Sequence, residues 1–112
     1  MITSSLTTNL NYKENKPAIT LLMETDATKE IRIIFKKNQE MKEHTAPKPI
    51  VVEIFEGEIN FGIYEKEMHL KKGDLIALEA NVPHNLICIK DAIVRLTISK
   101  SDSITRVNKV VS

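Results

Sequence analysis

The sequence predicts an all-β antiparallel protein, a sandwich or barrel. Short runs rich in Ile, Val, Leu and Phe recur between Ala18 and Ile98, and Gly, Asn, Asp and Pro separate them. No stretch in this range holds the 3.6-residue apolar period of an amphipathic helix. A chain of 112 residues is enough for one domain around one core. We therefore expect residues 18–99 to form the barrel, residues 1–17 a flexible arm or edge strand, and residues 100–112 a C-terminal tail or edge strand.

The first half of the chain supplies three strands. Ala18–Thr25 has the length of a strand and is followed by an Asp-Ala-Thr turn. Lys29–Lys36 places Ile and Phe on one face and mostly charged residues on the other, and its β-branched content favours a strand. Glu40–His44 begins the next extended segment. Two prolines at positions 47 and 49 make the following rim irregular, because proline cannot donate to a strand ladder.

The second half supplies further short strands, with turns expected at Glu56-Gly57 and Gly73-Asp74. The strands are Ile50–Phe55, Ile59–Ile63, Glu67–Leu70, Leu75–Leu78, Asn85–Ile89 and Ala92–Ile98. The first of these is apolar on both faces, whereas a strand in a solvated monomer usually has one polar face. A second copy of the chain would cover the outer face, so we expect a homodimer. Its contact residues would be Val51, Phe55, Ile87 and Ile89.

The composition argues against nucleic acid and membranes as partners. Lys and Arg number 16 against 15 Asp and Glu, and this net charge of +1 provides no broad field for nucleic acid or a membrane surface. A single cysteine excludes an internal disulfide, and residues 1–30 contain no apolar run of signal-peptide or membrane-span length. We expect a reduced, cytoplasmic protein with neither nucleic-acid nor membrane partners.

A first spaced pattern consists of Asn38, His44, Ala46, Ile50 and Gly57. It resembles the first motif of the small single-domain cupins, in which these five positions hold Gly, His, His, Glu and Gly. Asn38 can keep the turn of the first glycine, since Asn adopts positive φ more readily than most other non-glycine residues.

A second pattern runs from Gly73 to Cys88 and resembles the second cupin motif. Gly73 and His84 match that motif, whereas Glu79 replaces a Pro, Asn81 a Gly and Cys88 an Asn. The 15 residues between the glycines at positions 57 and 73 are a spacing typical of compact cupins. The resemblance covers about residues 29–98. It implies the cupin fold, an antiparallel double-stranded β-helix or jelly-roll barrel.

In metal-binding cupins the two motifs supply three histidines and one carboxylate to a metal ion. By resemblance, His44 and His84 are the ligands that remain here, because Ala46 and Ile50 carry no donor atom. Catalytic zinc normally has three protein ligands, and a non-haem iron triad needs a carboxylate beside two histidines. Cys88 would share a face with His84 in an unbroken strand and could add a thiolate.

The histidines have three interpretations. They could be structural, with His44 on the rim bonded to the backbone and His84 satisfied in the core. They could hold a metal. They could also be the polar groups of a metal-free pocket with apolar walls, which is typical of small-molecule sites. We expect this last arrangement, lined by His44, Ala46, Ile50, Val52, His84, Leu86 and Cys88, with Met41 near its mouth.

The function we prefer is therefore binding of a small, partly apolar molecule, as a sensor or carrier without a cofactor. The alternative is a metal-dependent enzyme similar to cupin dioxygenases or isomerases, with Fe, Zn, Mn, Ni or Cu held by His44 and His84. In a third interpretation the dimer surface is the working part. The sequence alone identifies neither the ligand nor a reaction.

Overall fold

The computed structural model describes residues 1–111, which form seven β-strands and one helix. The elements are β1 (Ala18–Glu24), β2 (Thr28–Phe35), β3 (Glu40–His44), β4 (Ile50–Ile63), β5 (Lys66–Lys71), β6 (Leu75–Leu78), β7 (His84–Ser99) and α1 (Ile104–Val111). All the strand pairs are antiparallel. The predicted all-β, antiparallel class is confirmed, with α1 as an addition.

Two long strands, β4 and β7, hold the barrel together. They pair with each other from Val51 to Ile63 of β4. The first part of β7 also pairs with β3 and its second part with β2, while β4 pairs first with β6 and then with β5. Each long strand thus passes from one layer to the other. The layers β1-β2-β7-β4-β6 and β3-β7-β4-β5 enclose a core of Ile, Leu, Val and Phe side chains.

Two breaks predicted within these strands are wrong. The Glu56-Gly57 turn is absent, because Gly57, with a φ of 85°, is accommodated in β4 where the register with β7 shifts between Ile54 and Ile59. The predicted strands at 85–89 and 92–98 are likewise parts of one 16-residue strand. Bulges bend a strand without ending it, which lets one strand serve two layers. The Gly73-Asp74 turn is confirmed, with the Asp74 N–H donating to the Lys71 carbonyl.

Residues 1–17 form no strand, so the edge-strand alternative is wrong for this segment. The arm instead lies on the outer face of the sheet, where Leu6, Leu10, Tyr12 and Phe55 pack against a small buried cluster. That cluster consists of Ala18, Ile34 and Ile93. The arm of the same chain therefore covers part of the apolar face that we expected a second copy to cover.

The tail or edge strand predicted for residues 100–112 is wrong over Ile104–Val111, which is helical; Ser112 lies outside the described residues. Ser103 starts the helix, because its Oγ accepts the Arg106 N–H at 3.1 Å as an N-cap does. Val107 then fits into the barrel and is 1% exposed. At eight residues, α1 is much shorter than a bilayer-spanning helix, and no helix of residues 1–111 has the length and apolar character to cross a membrane.

Candidate functional site

Two histidines face each other at one end of the barrel. His44 closes β3 and His84 opens β7, and the two are direct cross-strand partners. Their ring centroids are 4.2 Å apart, with the planes tilted by 59°. Phe61 stacks on the His84 ring at 5.5 Å, which fixes its orientation. His84 is 3% exposed, whereas His44 is half-buried.

The backbone fixes the tautomer of each ring. His44 Nδ1 lies 2.6 Å from the Lys42 carbonyl oxygen, and His84 Nδ1 lies 2.9 Å from the Val82 carbonyl oxygen. A carbonyl oxygen only accepts, so each Nδ1 carries the proton and donates it. Each neutral ring then presents Nε2 as an acceptor, and no hydrogen bond within residues 1–111 reaches either Nε2.

Both rings are neutral at pH 7. Burial lowers the pKa of His44 from 6.5 to about 4; the bond to Lys42 opposes this, and the positive charge of Arg106 and of a protonated His84 adds to it. Burial also lowers the pKa of His84, with the bond to Val82 opposing and Arg106 contributing. The pair therefore offers two neutral acceptors to the cavity.

The cavity between the two layers brings together six of the seven predicted pocket residues: His44, Ala46, Ile50, Val52, His84 and Leu86. Met41 lines it as well, together with Ile33, Val94 and Leu96. The walls are mainly apolar. The space that a water-sized sphere can occupy in it is only about 20 Å³, which is room for about one water molecule.

Cys88 is the predicted pocket residue that does not line this cavity. It does face the interior, as the strand parity predicted, but it lies roughly 13 Å further along β7 than His84 at about 3.3 Å per residue. It is 0% exposed, and its Sγ donates to the Lys90 carbonyl at 3.0 Å. Burial raises the pKa of this thiol to about 12, so Cys88 supplies neither a pocket wall nor a third ligand for the histidines.

The helix α1 closes the mouth of the cavity with Arg106, Val107 and Val110. Arg106 binds both carboxylate oxygens of Asp102 at 2.7 Å and donates to the Thr45 carbonyl at 3.1 Å. Burial alone would raise the pKa of Asp102, but the hydrogen bonds and charge of Arg106 hold it below its ordinary value. Sequence reasoning missed these residues. The available signal was a Ser N-cap followed by apolar residues at positions 104, 107 and 111.

The donor atoms present do not fit the metal site that the resemblance implies. Within residues 1–111, no group of three His, Cys, Asp or Glu side chains lies close enough to hold a metal ion. His44 and His84 remain two ligands, and the methyl groups of Ala46 and Ile50 take the places of the others. This set completes neither a catalytic zinc site nor a non-haem iron triad.

The turns of both spaced patterns keep the backbone that the resemblance implies. Asn38 and Asn81 have φ values of 74° and 64°, so each Asn adopts the left-handed conformation of the glycine that it replaces. The Asn81 N–H also donates to the Ala46 carbonyl at 2.8 Å, which ties the segment before His84 to the segment after His44.

No family model matches the chain, and no curated protein matches it. Among solved structures, it is similar to an RmlC-like cupin from Desulfovibrio desulfuricans, with a TM-score of 0.78, 20% identity, and coverage of 88% of this chain and 96% of that one. An RmlC-like cupin from Shewanella frigidimarina has a TM-score of 0.76 at 20% identity, with 89% and 90% coverage. A Klebsiella pneumoniae protein described as uncharacterized, with a double-stranded β-helix domain, has a TM-score of 0.77 at 16% identity, with 88% and 90% coverage. The resemblance found in the two sequence patterns is thus confirmed at the level of the fold: the chain folds as an antiparallel double-stranded β-helix, like these RmlC-like cupin structures.

Proposed function

We propose that the protein binds a small, partly apolar molecule in the barrel, as a sensor or carrier, and that the ligand donates a hydrogen bond to the histidine pair. The observation that carries this proposal is the pair of Nε2 acceptors. They lie against apolar walls, and each Nδ1 is already bonded to the backbone. A few convergent polar groups in an apolar cavity are the usual composition of a small-molecule site.

The charges around the pair indicate which donor suits the site. Two neutral imidazoles accept hydrogen bonds, so the ligand must donate. The guanidinium of Arg106 lies at the same mouth and lowers the pKa of both histidines after burial, so the same field opposes a cationic ligand. We therefore expect a neutral donor, such as a hydroxyl group, on an apolar body.

The experiment compares phenol with toluene, which have similar shape but differ in the donor. We expect phenol to shift the Nε2 resonances of His44 and His84 in nitrogen-15 NMR and to raise the melting temperature. Toluene should bind about fivefold more weakly, because one hydrogen bond contributes about 1 kcal/mol. Any ligand at one hundred times its dissociation constant adds about 2.7 kcal/mol to the folded state, so a thermal-shift screen of metabolites can follow.

A matched pair of variants controls this comparison. His84→Phe keeps a ring against Phe61 but removes one of the two acceptors, and it should reduce the preference for phenol over toluene. His69→Phe changes an exposed histidine on β5 and should leave the preference intact. Equal binding of phenol and toluene by the wild-type protein would contradict the proposal. The absence of any shift across a broad metabolite panel would favour a role for the protein surface instead.

The second candidate is a metal-dependent enzyme similar to cupin dioxygenases or isomerases. One feature favours it: a histidine ligand usually donates its other ring N–H to a carbonyl or carboxylate, as His44 and His84 do. Metal analysis of protein purified without a histidine tag, followed by titration with Fe, Zn, Mn, Ni and Cu, tests it. Tight stoichiometric binding that His84→Ala abolishes would replace the first proposal with this one.

A further inference from the structure

We infer that α1 is a lid on the histidine cavity, and that a ligand takes the volume that Val107 and Val110 now fill. The identity of the occupant rests on the proposed function, whereas the opening of the helix does not. Val107 and Val110 would then also determine the size of molecule that the barrel accepts.

The size of the cavity requires something to move. With α1 in place, the free space is about 20 Å³, whereas small-molecule sites usually have about 300–1,000 Å³. The other walls come from β2, β3, β4 and β7, whose backbones are paired with neighbouring strands, and from Ala46, whose carbonyl accepts the Asn81 N–H. Moving a strand would break many ladder hydrogen bonds. Moving α1 uncovers the mouth of the cavity without breaking any ladder hydrogen bond of the sheet.

The contacts that join α1 to the barrel are consistent with a helix that can move away from the cavity. Many of its polar contacts are local: Arg106 binds Asp102 four residues earlier, and Ser103 caps the first turn. The ties to the barrel include Arg106 to the Thr45 carbonyl and Lys29 to the Asp102 carbonyl, together with the buried Val107. An isolated helix of eight residues is unstable in water, so opening amounts to local unfolding of the segment after β7.

Acylation of the three histidines by diethyl pyrocarbonate, followed by mass spectrometry, measures the opening. His84 is buried beneath the mouth and should react only when α1 leaves, while the exposed His69 serves as an internal reference. Val107→Ala removes packing from the inner face and should accelerate acylation of His84 by about tenfold, as expected for a buried large-to-small change. The control Thr105→Ala alters an exposed position on the same helix and should leave the rate unchanged.

Hydrogen exchange of the wild-type protein provides a second measurement. It tests the lid even if the Val107→Ala variant fails to fold. Amides of α1 should exchange well before those of β7. Saturating phenol should lower the protection of α1 further, because the ligand displaces the valines. Protection of α1 equal to that of β7 would overturn the lid inference. Acylation of His84 as fast as that of His69 would also overturn it, as would a rate of His84 acylation that Val107→Ala leaves unchanged.

The same data separate the two proposals. If Val107→Ala accelerates acylation of His84 but phenol binds to neither the wild-type protein nor the variant, the lid inference stands and the proposed function fails. If phenol binds between the histidines and α1 becomes more protected, the proposed function stands. The lid inference then fails, because the ligand would lie beneath a closed helix.

Discussion

Gly57 and Gly73 share a left-handed backbone but differ in their surroundings. Their φ values are 85° and 93°. A Cβ at Gly57 would lie 2.2 Å from the Asp91 carbonyl oxygen and 2.6 Å from Ala92 Cα, whereas a Cβ at Gly73 would face open space. Neither contact atom at Gly57 belongs to a side chain that can rotate away. This position therefore requires glycine for space as well as for conformation.

We predict that Gly57→Ala lowers the free energy of unfolding by clearly more than Gly73→Ala. At Gly73 only the conformational strain of a left-handed alanine applies, about 1–2 kcal/mol. At Gly57 the backbone of β7 must also shift. Urea unfolding of both variants measures the difference. Equal losses of unfolding free energy in the two variants would show that the backbone of β7 shifts without an energetic cost.

At the scale of elements, the N-terminal arm is held by an arginine rather than by strand pairing. Arg32 is 4% exposed and donates to the carbonyls of Leu6, Thr8 and Asn9. A second tie, from Lys36 to Glu14 at 2.9 Å, is exposed and contributes little. The buried guanidinium thus positions the arm over the small cluster around Ile34.

We predict that Arg32→Met releases residues 6–12 while the barrel stays folded, because the freed carbonyls can bond to water. Hydrogen exchange should show loss of protection in the arm and none in β7. The matched variant Lys36→Met removes the exposed ion pair with Glu14 and should leave the arm protected. If the arm keeps its protection in both variants, apolar packing holds the arm and the arginine does not.

At the scale of the whole molecule, the two histidines of the cavity make stability depend on pH. In the unfolded chain they take up protons near the ordinary pKa of 6.5, whereas folded His44 stays neutral down to about pH 4 and the pKa of His84 is also lowered. The unfolded state binds more protons in this window. The free energy of unfolding therefore falls as the pH falls from 6.5 towards 4.

We predict that His44→Gln reduces this pH dependence, because one of the two responsible groups is gone. Urea unfolding at several pH values between 6.5 and 4 measures the slope. Thr105→Ala, at an exposed position on α1, is the control, because it removes no titratable group and should keep the wild-type slope. An unchanged slope in His44→Gln would mean that His44 does not stay neutral in the folded barrel.

The homodimer also belongs to this scale and remains a prediction. Phe55 already packs against the same small cluster as the arm, so the contact would depend more on Val51, Ile87 and Ile89, which are half-buried. We expect light scattering at micromolar concentration to give the mass of two chains, and Ile87→Lys with Ile89→Lys to give the mass of one. A wild-type mass of one chain would contradict the dimer.

Much of the fold could be predicted because its signals are local. Alternating apolar residues and turn residues act over a few positions, and they placed β3 and β6 at their observed bounds. The same spacing predicted that His44 and His84 face each other, as their cross-strand pairing shows. Asn38 and Asn81 were predictable for the same reason, since positive φ is a property of single residues.

The sequence by itself thus determined which segments are extended, that the two histidines face each other, and the fold class. Only the tertiary structure decided that β4 and β7 continue through their bulges, that the arm covers the outer face, and that Cys88 lies too deep for the site. It also decided that α1 closes the mouth. Each of these depends on contacts between residues far apart in the chain, whose free energy overrides the local preference of a turn, a tail or a short helix.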